Sequence, residues 1–194
     1  MIIKDGVLIK IEEGDIDENG YCKIPEGVKV IGDRAFEKCK DLIEVFIPDG
    51  IDIIGDNAFA LCEKLENIIL PNSVEDIGEK AFLGCKKLEK VRLPNSIGDL
   101  LAIKDSTFNG CESLEEICIP NTVGIIDRGA FYGCVNLKTV WMSEDIGLIG
   151  SQAFGKCTSL ENIEMPDKII SIAPDAFDRC DNLKKGNERY KDFK

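Results

Sequence analysis

A Phe-x-x-Cys motif returns seven times along these 194 residues, and a leucine stands three positions after each of its cysteines. Its phenylalanines are Phe36, Phe59, Phe82, Phe108, Phe131, Phe154 and Phe177. Their successive spacings are 23, 23, 26, 23, 23 and 23 residues. A fixed period of this length is typical of a solenoid, in which each repeat forms one coil and packs against its neighbours.

Each repeat also contains a short strand signal. Segments such as EVFIP at residues 44–48 and NIILP at residues 67–71 alternate apolar and free positions, as a half-buried strand does. A proline follows most of these segments and ends the strand, because it has a fixed φ and no N–H. Roughly four to six side chains per repeat point inward, too few for a separate core, so stacked coils must bury them together.

The complete unit has the form I-G-x-x-A-F-x-x-C-x-x-L-x-x-I-x-L-P over roughly residues 20 to 185. It resembles the BspA-like (Treponema-type) leucine-rich-repeat family. The resemblance implies a right-handed coil with a concave parallel β-sheet and with short strands or helical turns on the convex side. We therefore predict an α/β repeat solenoid. The resemblance also implies protein recognition, including surface adhesion and host contact, and no enzymatic activity.

Residues 1–194 are predicted to form a single leucine-rich-repeat domain. Residues 1–24 should form an N-terminal β-hairpin cap and the first strand, because VLIKI at 7–11 and YCKIP at 21–25 alternate around a turn. Residues 25–183 hold about seven 23-residue repeats, and residues 184–194 form a polar C-terminal tail or cap. Three extra residues between Pro94 and Phe108 predict a local bulge.

The charge balance argues against some partners. The chain has 24 basic and 36 acidic residues, a net charge of -12. Such a surface repels phosphate backbones and anionic lipids, so we expect no nucleic acid and no membrane insertion. Without a signal-peptide pattern the chain is cytosolic as written, whereas a removed export signal would make it a cell-surface or secreted protein. The oligomeric state is left open.

The nine cysteines allow three interpretations. Cysteines on adjacent coils should lie about 4.8 Å apart, which is within disulfide range, but parallel side chains do not turn their Cβ atoms toward each other. Zinc is disfavoured because the chain has no histidine and no Cys-x-x-Cys pair. We favour buried reduced thiols, and disulfides and metal stay open. Cys22 falls on an inward strand position, whereas Cys118 falls on an outward one and should be the most reactive thiol.

Residues 15–26, DIDENGYCKIPE, match the calcium-loop pattern D-x-[DN]-x-[DN]-G-x5-E. Asp15, Asp17, Asn19 and Glu26 would supply the side-chain ligands. An EF-hand needs flanking helices, whereas the segments before and inside this loop have strand patterns. We therefore favour a turn over a calcium site and expect no cofactor.

Catalysis has little support in the sequence. The chain lacks histidine, the commonest general acid or base, and no nucleophile motif or phosphate-binding loop replaces it. Its Asp and Glu residues follow turns and exposed edges. We expect no enzymatic activity.

The strand register indicates which side chains face outward from the concave sheet. One column is a largely apolar stripe of Phe46, Ile69, Arg92, Cys118 and Trp141, and Lys90 lies beside it. Apolar stripes on exposed sheets mark interaction sites, and Trp and Arg are enriched at binding hot spots. We predict a scaffold that binds a protein or peptide here. The alternatives are side chains that only cover one another, or a structural, self-associating segment of a larger surface adhesin.

Overall fold

The structure, a computed structural model, describes residues 1–95 and 102–183. They form a β-solenoid in which most coils contribute two short strands. The strands are β1 (Ile2–Lys4), β2 (Val7–Lys10), β3 (Tyr21–Lys23), β4 (Val30–Ile31), β5 (Glu44–Phe46), β6 (Ile53–Ile54), β7 (Asn67–Ile69), β8 (Asp76–Ile77), β9 (Lys90–Arg92), β10 (Ala102–Ile103), β11 (Glu116–Cys118), β12 (Ile125–Ile126), β13 (Thr139–Trp141), β14 (Leu148–Ile149), β15 (Asn162–Ile163) and β16 (Ser171–Ile172). None of the described residues belongs to a helix that could cross a membrane.

Two sides of the solenoid are parallel sheets. The odd-numbered strands from β3 to β15 form the front sheet, and the even-numbered strands from β2 to β16 form the back sheet. Equivalent residues of successive repeats pair, for example Cys22 with Val45 and Val140 with Ile163. Their side chains are buried, while the residues on either side of them point outward, as the alternation predicts.

The N-terminal hairpin differs from the predicted one. Strand β2 pairs antiparallel with β1, whereas β3, its expected partner, pairs parallel with β5 in the front sheet. The turn between β1 and β2 contains Asp5 and Gly6, whose φ angles are 51° and 76°. Asp-Gly is a preferred pair for a two-residue hairpin turn with two positive φ angles. Residues 1–10 therefore form the hairpin, and β2 continues into the back sheet through β4.

The side that carries the Phe-x-x-Cys motifs consists of turns. The Cys39 N–H donates to the Phe36 carbonyl at 3.1 Å and closes a turn whose third residue, Lys38, has a φ of 63°. The Lys38 N–H donates to the Ala60 carbonyl of the next coil at 2.8 Å. A helix needs negative φ and makes its hydrogen bonds within one segment. The predicted α/β class with helical turns is therefore not confirmed, because the described residues contain strands and turns but no helix.

The motif phenylalanines stack through the interior of the solenoid. Successive rings are nearly parallel, and their centroids lie 4.7 to 5.4 Å apart. The cysteine thiol of each following repeat donates to the carbonyl of the phenylalanine one coil earlier, as Cys85 does to Phe59 at 3.2 Å. Around this stack, the inward Leu, Ile and Val side chains of all coils form one continuous core. The inward side chains of each coil are therefore buried by the neighbouring coils rather than by their own coil.

Both sheets are divided at the fourth repeat. The front sheet is interrupted between β9 and β11, and the back sheet between β8 and β10. The turn side continues across this junction, because the Phe82 N–H donates to the Thr107 carbonyl at 2.9 Å and the Phe82 and Phe108 rings stack at 5.3 Å. Residues 96–101, within the segment of the predicted bulge, and the predicted C-terminal tail, residues 184–194, lie outside the described residues.

Phe82→Ala should lower the free energy of unfolding by about 3–5 kcal/mol, because removing a ring that is buried between two others leaves a cavity. Phe46→Ala is the matched control, since this phenylalanine is 44% exposed on the front sheet. Urea unfolding curves of the two variants measure the difference. Similar losses for both would contradict the assignment of stability to the stacked rings.

Gly78→Ala should cost about 1–3 kcal/mol through overpacking. An added Cβ would lie 2.5 Å from the backbone nitrogen of Asp56 and from the carbonyl carbon of Gly55, in the preceding coil. Gly147→Ala is the control, because its nearest neighbour, Ile170 Cδ1, lies at 3.5 Å. Thermal unfolding compares the two, and an undiminished melting temperature for Gly78→Ala would show that adjacent coils can separate there without loss.

Candidate binding face

The front sheet places the sequence-predicted site residues in register. Lys23 pairs with Phe46, Ile69 pairs with Arg92, and Cys118 pairs with Trp141. The column of the predicted stripe therefore runs across the third residues of the front strands. Lys90 lies on β9 two residues before Arg92, in the neighbouring outward column.

The apolar members of this column are open to solvent. Phe46 is 44% exposed, Ile69 is 62% exposed and Trp141 is 47% exposed. Arg92 and Cys118 are also exposed. The Lys23 ammonium lies 5.6 Å from the centroid of the Phe46 ring, so this ring is partly covered by a cation–π contact. The stripe is thus an accessible surface with basic side chains beside its apolar ones.

The hydrogen-bonded ladder of the front sheet is interrupted between Arg92 and Cys118. A cleft of about 380 Å³ lies at this point, and its walls include Arg92, Leu93, Cys118 and Pro120. A second cleft, of about 520 Å³, lies at the Lys90 end of the same junction and is lined by Glu89, Lys90, Ser113, Glu115, Glu116 and Asn136. The sequence indicated one stripe over five strands. The five side chains still follow one another, because β9 and β11 remain neighbouring strands, and the first cleft forms a recess between Arg92 and Cys118.

The three extra residues before Phe108 are the sequence signal for this division. The back strand of that repeat is followed by Lys104, where the three preceding repeats have Gly32, Gly55 and Gly78. The Gly78 site has no room for a side chain, whereas Lys104 extends to Asp76 with Nζ 2.7 Å from its carboxylate. Sequence reasoning noted the insertion but did not carry its effect across to the front sheet.

The calcium-loop residues are engaged in local contacts. The Asp15 carboxylate lies 2.5 Å from the N-terminal ammonium and accepts the Glu12 N–H at 2.6 Å. The Asp17 carboxylate accepts the backbone N–H groups of Asn19 and Tyr21, each at 2.9 Å. Asn19 and Glu26 are exposed. The Asp17 contacts are those of an Asx turn. Among the described residues, no group of three or more Cys, Asp or Glu side chains is arranged to hold a metal ion.

The cysteines fall into three environments, and all nine are free thiols. Cys22 and five motif cysteines are buried, Cys39 and Cys180 are half-buried, and Cys118 is exposed. Burial raises the pKa of Cys22, Cys85 and Cys134 to about 12 in each case. Sequence reasoning missed the hydrogen bond from each buried motif thiol to a phenylalanine carbonyl. No alternation or spacing signals it, because it depends on how adjacent coils stack.

The stacked coils and the exposed outward column of the front sheet place the protein in the class of β-solenoid repeat scaffolds. Within that class, the family described as the BspA type leucine-rich repeat region (6 copies) matches residues 18–102 and 99–188. The chain belongs to the BspA-type leucine-rich-repeat family.

Solved structures of bacterial leucine-rich-repeat proteins share this fold. The T. pallidum leucine-rich-repeat protein is 28% identical, with a TM-score of 0.82, over 91% of this chain and 83% of that one. A protein from Bacteroides ovatus is 30% identical, with a TM-score of 0.67, over 84% and 48%. One from Eubacterium ventriosum is 23% identical, with a TM-score of 0.82, over 93% and 47%. This chain therefore spans about half the length of the last two. No curated protein matches significantly.

In the native protein, a small maleimide should modify Cys118 first, since it is exposed, and Cys39 and Cys180 more slowly. Cys85, Cys111 and Cys134 should stay unmodified until denaturant is added, because burial protects the thiol and disfavours the thiolate. Mass spectrometry of peptides after timed labelling measures the order. Cys118→Ser should remove only the fastest phase, and early labelling of Cys85 would contradict the burial of this ladder.

Proposed function

We propose that this protein is a non-enzymatic recognition scaffold whose front sheet binds a protein or peptide. The observation that carries the proposal is the column of Phe46, Ile69 and Trp141, three large apolar side chains that remain about half exposed. Single exposed apolar residues are common on protein surfaces, whereas an aligned set is characteristic of an interaction site.

The front sheet suits this role because its outward side chains do not contribute to the core. The buried neighbours of these residues, such as Val45 and Ile68, hold the strands in place, so the column can vary without loss of the core. Its side chains stand on a rigid sheet, so little conformational entropy is lost when a partner binds. We infer that the front sheet is the concave side expected for the family.

The charges on this face favour a partner with mixed polarity. Lys23, Lys90 and Arg92 are balanced by Glu44, Glu116 and Glu164 at the other outward positions. The excess negative charge of the chain therefore lies on other surfaces. We propose that aromatic or aliphatic side chains of the partner contact the column and that an acidic group pairs with Arg92, beside the recess.

A displayed library of random peptides is the probe for this proposal. Peptides selected on the wild-type protein should lose most of their binding to Trp141→Ala and to Arg92→Glu, because Trp and Arg commonly dominate interface energies. Ile170→Ala is the matched control: it removes an apolar side chain that is 78% exposed, next to the back sheet. Binding constants come from calorimetry or interferometry with single peptides.

The melting temperatures of all three variants should stay near that of the wild type, since each changes an exposed side chain. Selected peptides that bind Trp141→Ala as tightly as the wild type would refute the front sheet as the site. A library that yields no front-sheet binder at all would also count against the proposal.

A second candidate is a structural, self-associating segment of a larger surface adhesin. It is favoured by the exposed apolar residues of the back sheet and its edge, Ile53, Ile125, Leu148 and Ile170. The partial coverage of two longer relatives is compatible with this role. Light scattering after size exclusion tests it: a stable oligomer that Leu148→Asp dissociates would support self-association, and a monomer at high concentration would exclude it.

A further inference from the structure

The seven cysteines of the Phe-x-x-Cys motif do not share one environment. Five are buried, whereas Cys39 and Cys180, at the first and last motifs, are half-buried. Cys39 lines a surface cleft of about 480 Å³, together with Ile16, Gly20 and Ile43. Small molecules can therefore reach the Cys39 thiol from solvent.

Cys62 lies directly behind Cys39 in the next coil. The Cys62 thiol donates to the Phe36 carbonyl at 3.0 Å, and the Cys39 N–H donates to the same carbonyl at 3.1 Å. The two cysteines occupy the same motif position in adjacent coils. The Phe36 and Phe59 ring centroids lie 4.7 Å apart, closer than the 5.2 to 5.4 Å of the later pairs. The first two motifs are thus the most tightly stacked of the series.

The two thiols differ in their readiness to ionise. The neighbouring Cys62 lowers the pKa of Cys39, burial opposes this effect, and the positive charge of Lys10 adds to it. The pKa of Cys62 is raised by the neighbouring Cys39 and by burial. An accessible thiol that ionises, with a protonated thiol behind it, is the arrangement of an attacking and a resolving cysteine.

We propose that Cys39 and Cys62 are a redox modification site that a neutral hydroperoxide converts to a disulfide. The Cys39 thiolate attacks one peroxide oxygen, the O–O bond breaks, and the other oxygen leaves and takes up a proton as water or an alcohol. The sulfur of Cys62 then attacks the Cys39 sulfenic acid, and its hydroxyl leaves with the Cys62 proton as water. The two thiols lose two electrons, which reduce the peroxide. The product covalently joins the first two coils.

The walls of the cleft favour this class of oxidant. Its charged residues are Glu12, Glu13, Asp17, Glu18 and Asp41 against Lys40 and Lys64. A net negative cleft repels anionic oxidants such as glutathione disulfide, whereas a neutral hydroperoxide is not repelled. The reaction with hydrogen peroxide should therefore be less sensitive to ionic strength than the reaction with glutathione disulfide.

The other half-buried cysteine provides an internal comparison. Cys180 Sγ donates to the Phe154 carbonyl at 3.0 Å, and the neighbouring Cys157 lowers the pKa of Cys180. Asp178 and Asp181 disfavour the Cys180 thiolate, whereas Lys10 favours the Cys39 thiolate. The Cys39–Cys62 pair should therefore oxidise several-fold faster than the Cys157–Cys180 pair.

The test uses the full chain with Cys118→Ser, which removes the exposed thiol. The folded protein is treated with hydrogen peroxide, quenched, alkylated in denaturant and mapped by mass spectrometry. The expected main product is a Cys39–Cys62 peptide pair that is lighter by two hydrogens and is restored by a dithiol reductant. With Cys62→Ser added, Cys39 should accumulate as a sulfenic acid that dimedone traps. With Cys85→Ser added instead, the disulfide should still form.

Several outcomes would overturn the proposal. They are an unmodified Cys39 under conditions that oxidise Cys118 in the wild type, a Cys39 sulfenic acid that persists beside reduced Cys62, and a Cys157–Cys180 disulfide that forms at least as fast. If the proteins with the added Cys62→Ser or Cys85→Ser do not fold, the test rests on the protein that carries only Cys118→Ser. Its native product should be one defined disulfide, whereas the urea-unfolded chain should give scrambled pairs.

Discussion

The stability of this structure depends on the contact between one coil and the next, because no repeat has enough inward side chains to form a core alone. Phe82 illustrates the dependence. Its ring stacks between those of Phe59 and Phe108, each at 5.3 Å, and its carbonyl accepts the Cys85 N–H at 3.2 Å and the Cys111 thiol at 3.4 Å. The ring thus contacts both neighbouring coils, while the carbonyl accepts from its own turn and from the thiol of the next coil. The Phe-x-x-Cys motif recurs because each copy is both a packing unit and a hydrogen-bonding unit for the coils beside it.

The fourth repeat shows that the turn side can stay continuous where the front and back sheets are interrupted. There the front and back sheets are both divided, yet the turn side continues, with Gly84 N–H donating to the Asn109 carbonyl at 2.7 Å. The inserted residues fall between Pro94 and Phe108, on the route from one front strand to the following motif. The two halves of the solenoid therefore share one core, and a recess lies between Arg92 and Cys118 on the front sheet.

The strand register and the outward column could be predicted from the sequence, because a period of two and a terminal proline leave little freedom in a three-residue strand. The turns could not. Lys38 has a φ of 63° although lysine has no preference for positive φ, so the coil-to-coil hydrogen bonds of this segment impose it and no helix forms. The hairpin was misassigned because VLIKI and YCKIP have equally good strand patterns, whereas the Asp5-Gly6 turn decided the pairing. The insertion before Phe108 could be recognised in the sequence, but its effect on the front sheet could not, because that effect depends on how adjacent coils pack.

Position in the stack, rather than residue type, decides what the repeated residues can do. Cys85 and Cys39 occupy the same motif position, yet Cys85 is enclosed by coils on both sides and Cys39 opens into a cleft. Phe82 and Phe46 differ in the same way, one inside the ring stack and the other on the front sheet. Side chains in the solenoid interior react slowly, because burial keeps reagents away from them and disfavours their charged forms. New chemistry and new contacts can therefore develop at the end coils, at an interrupted coil and at outward strand positions without cost to the core.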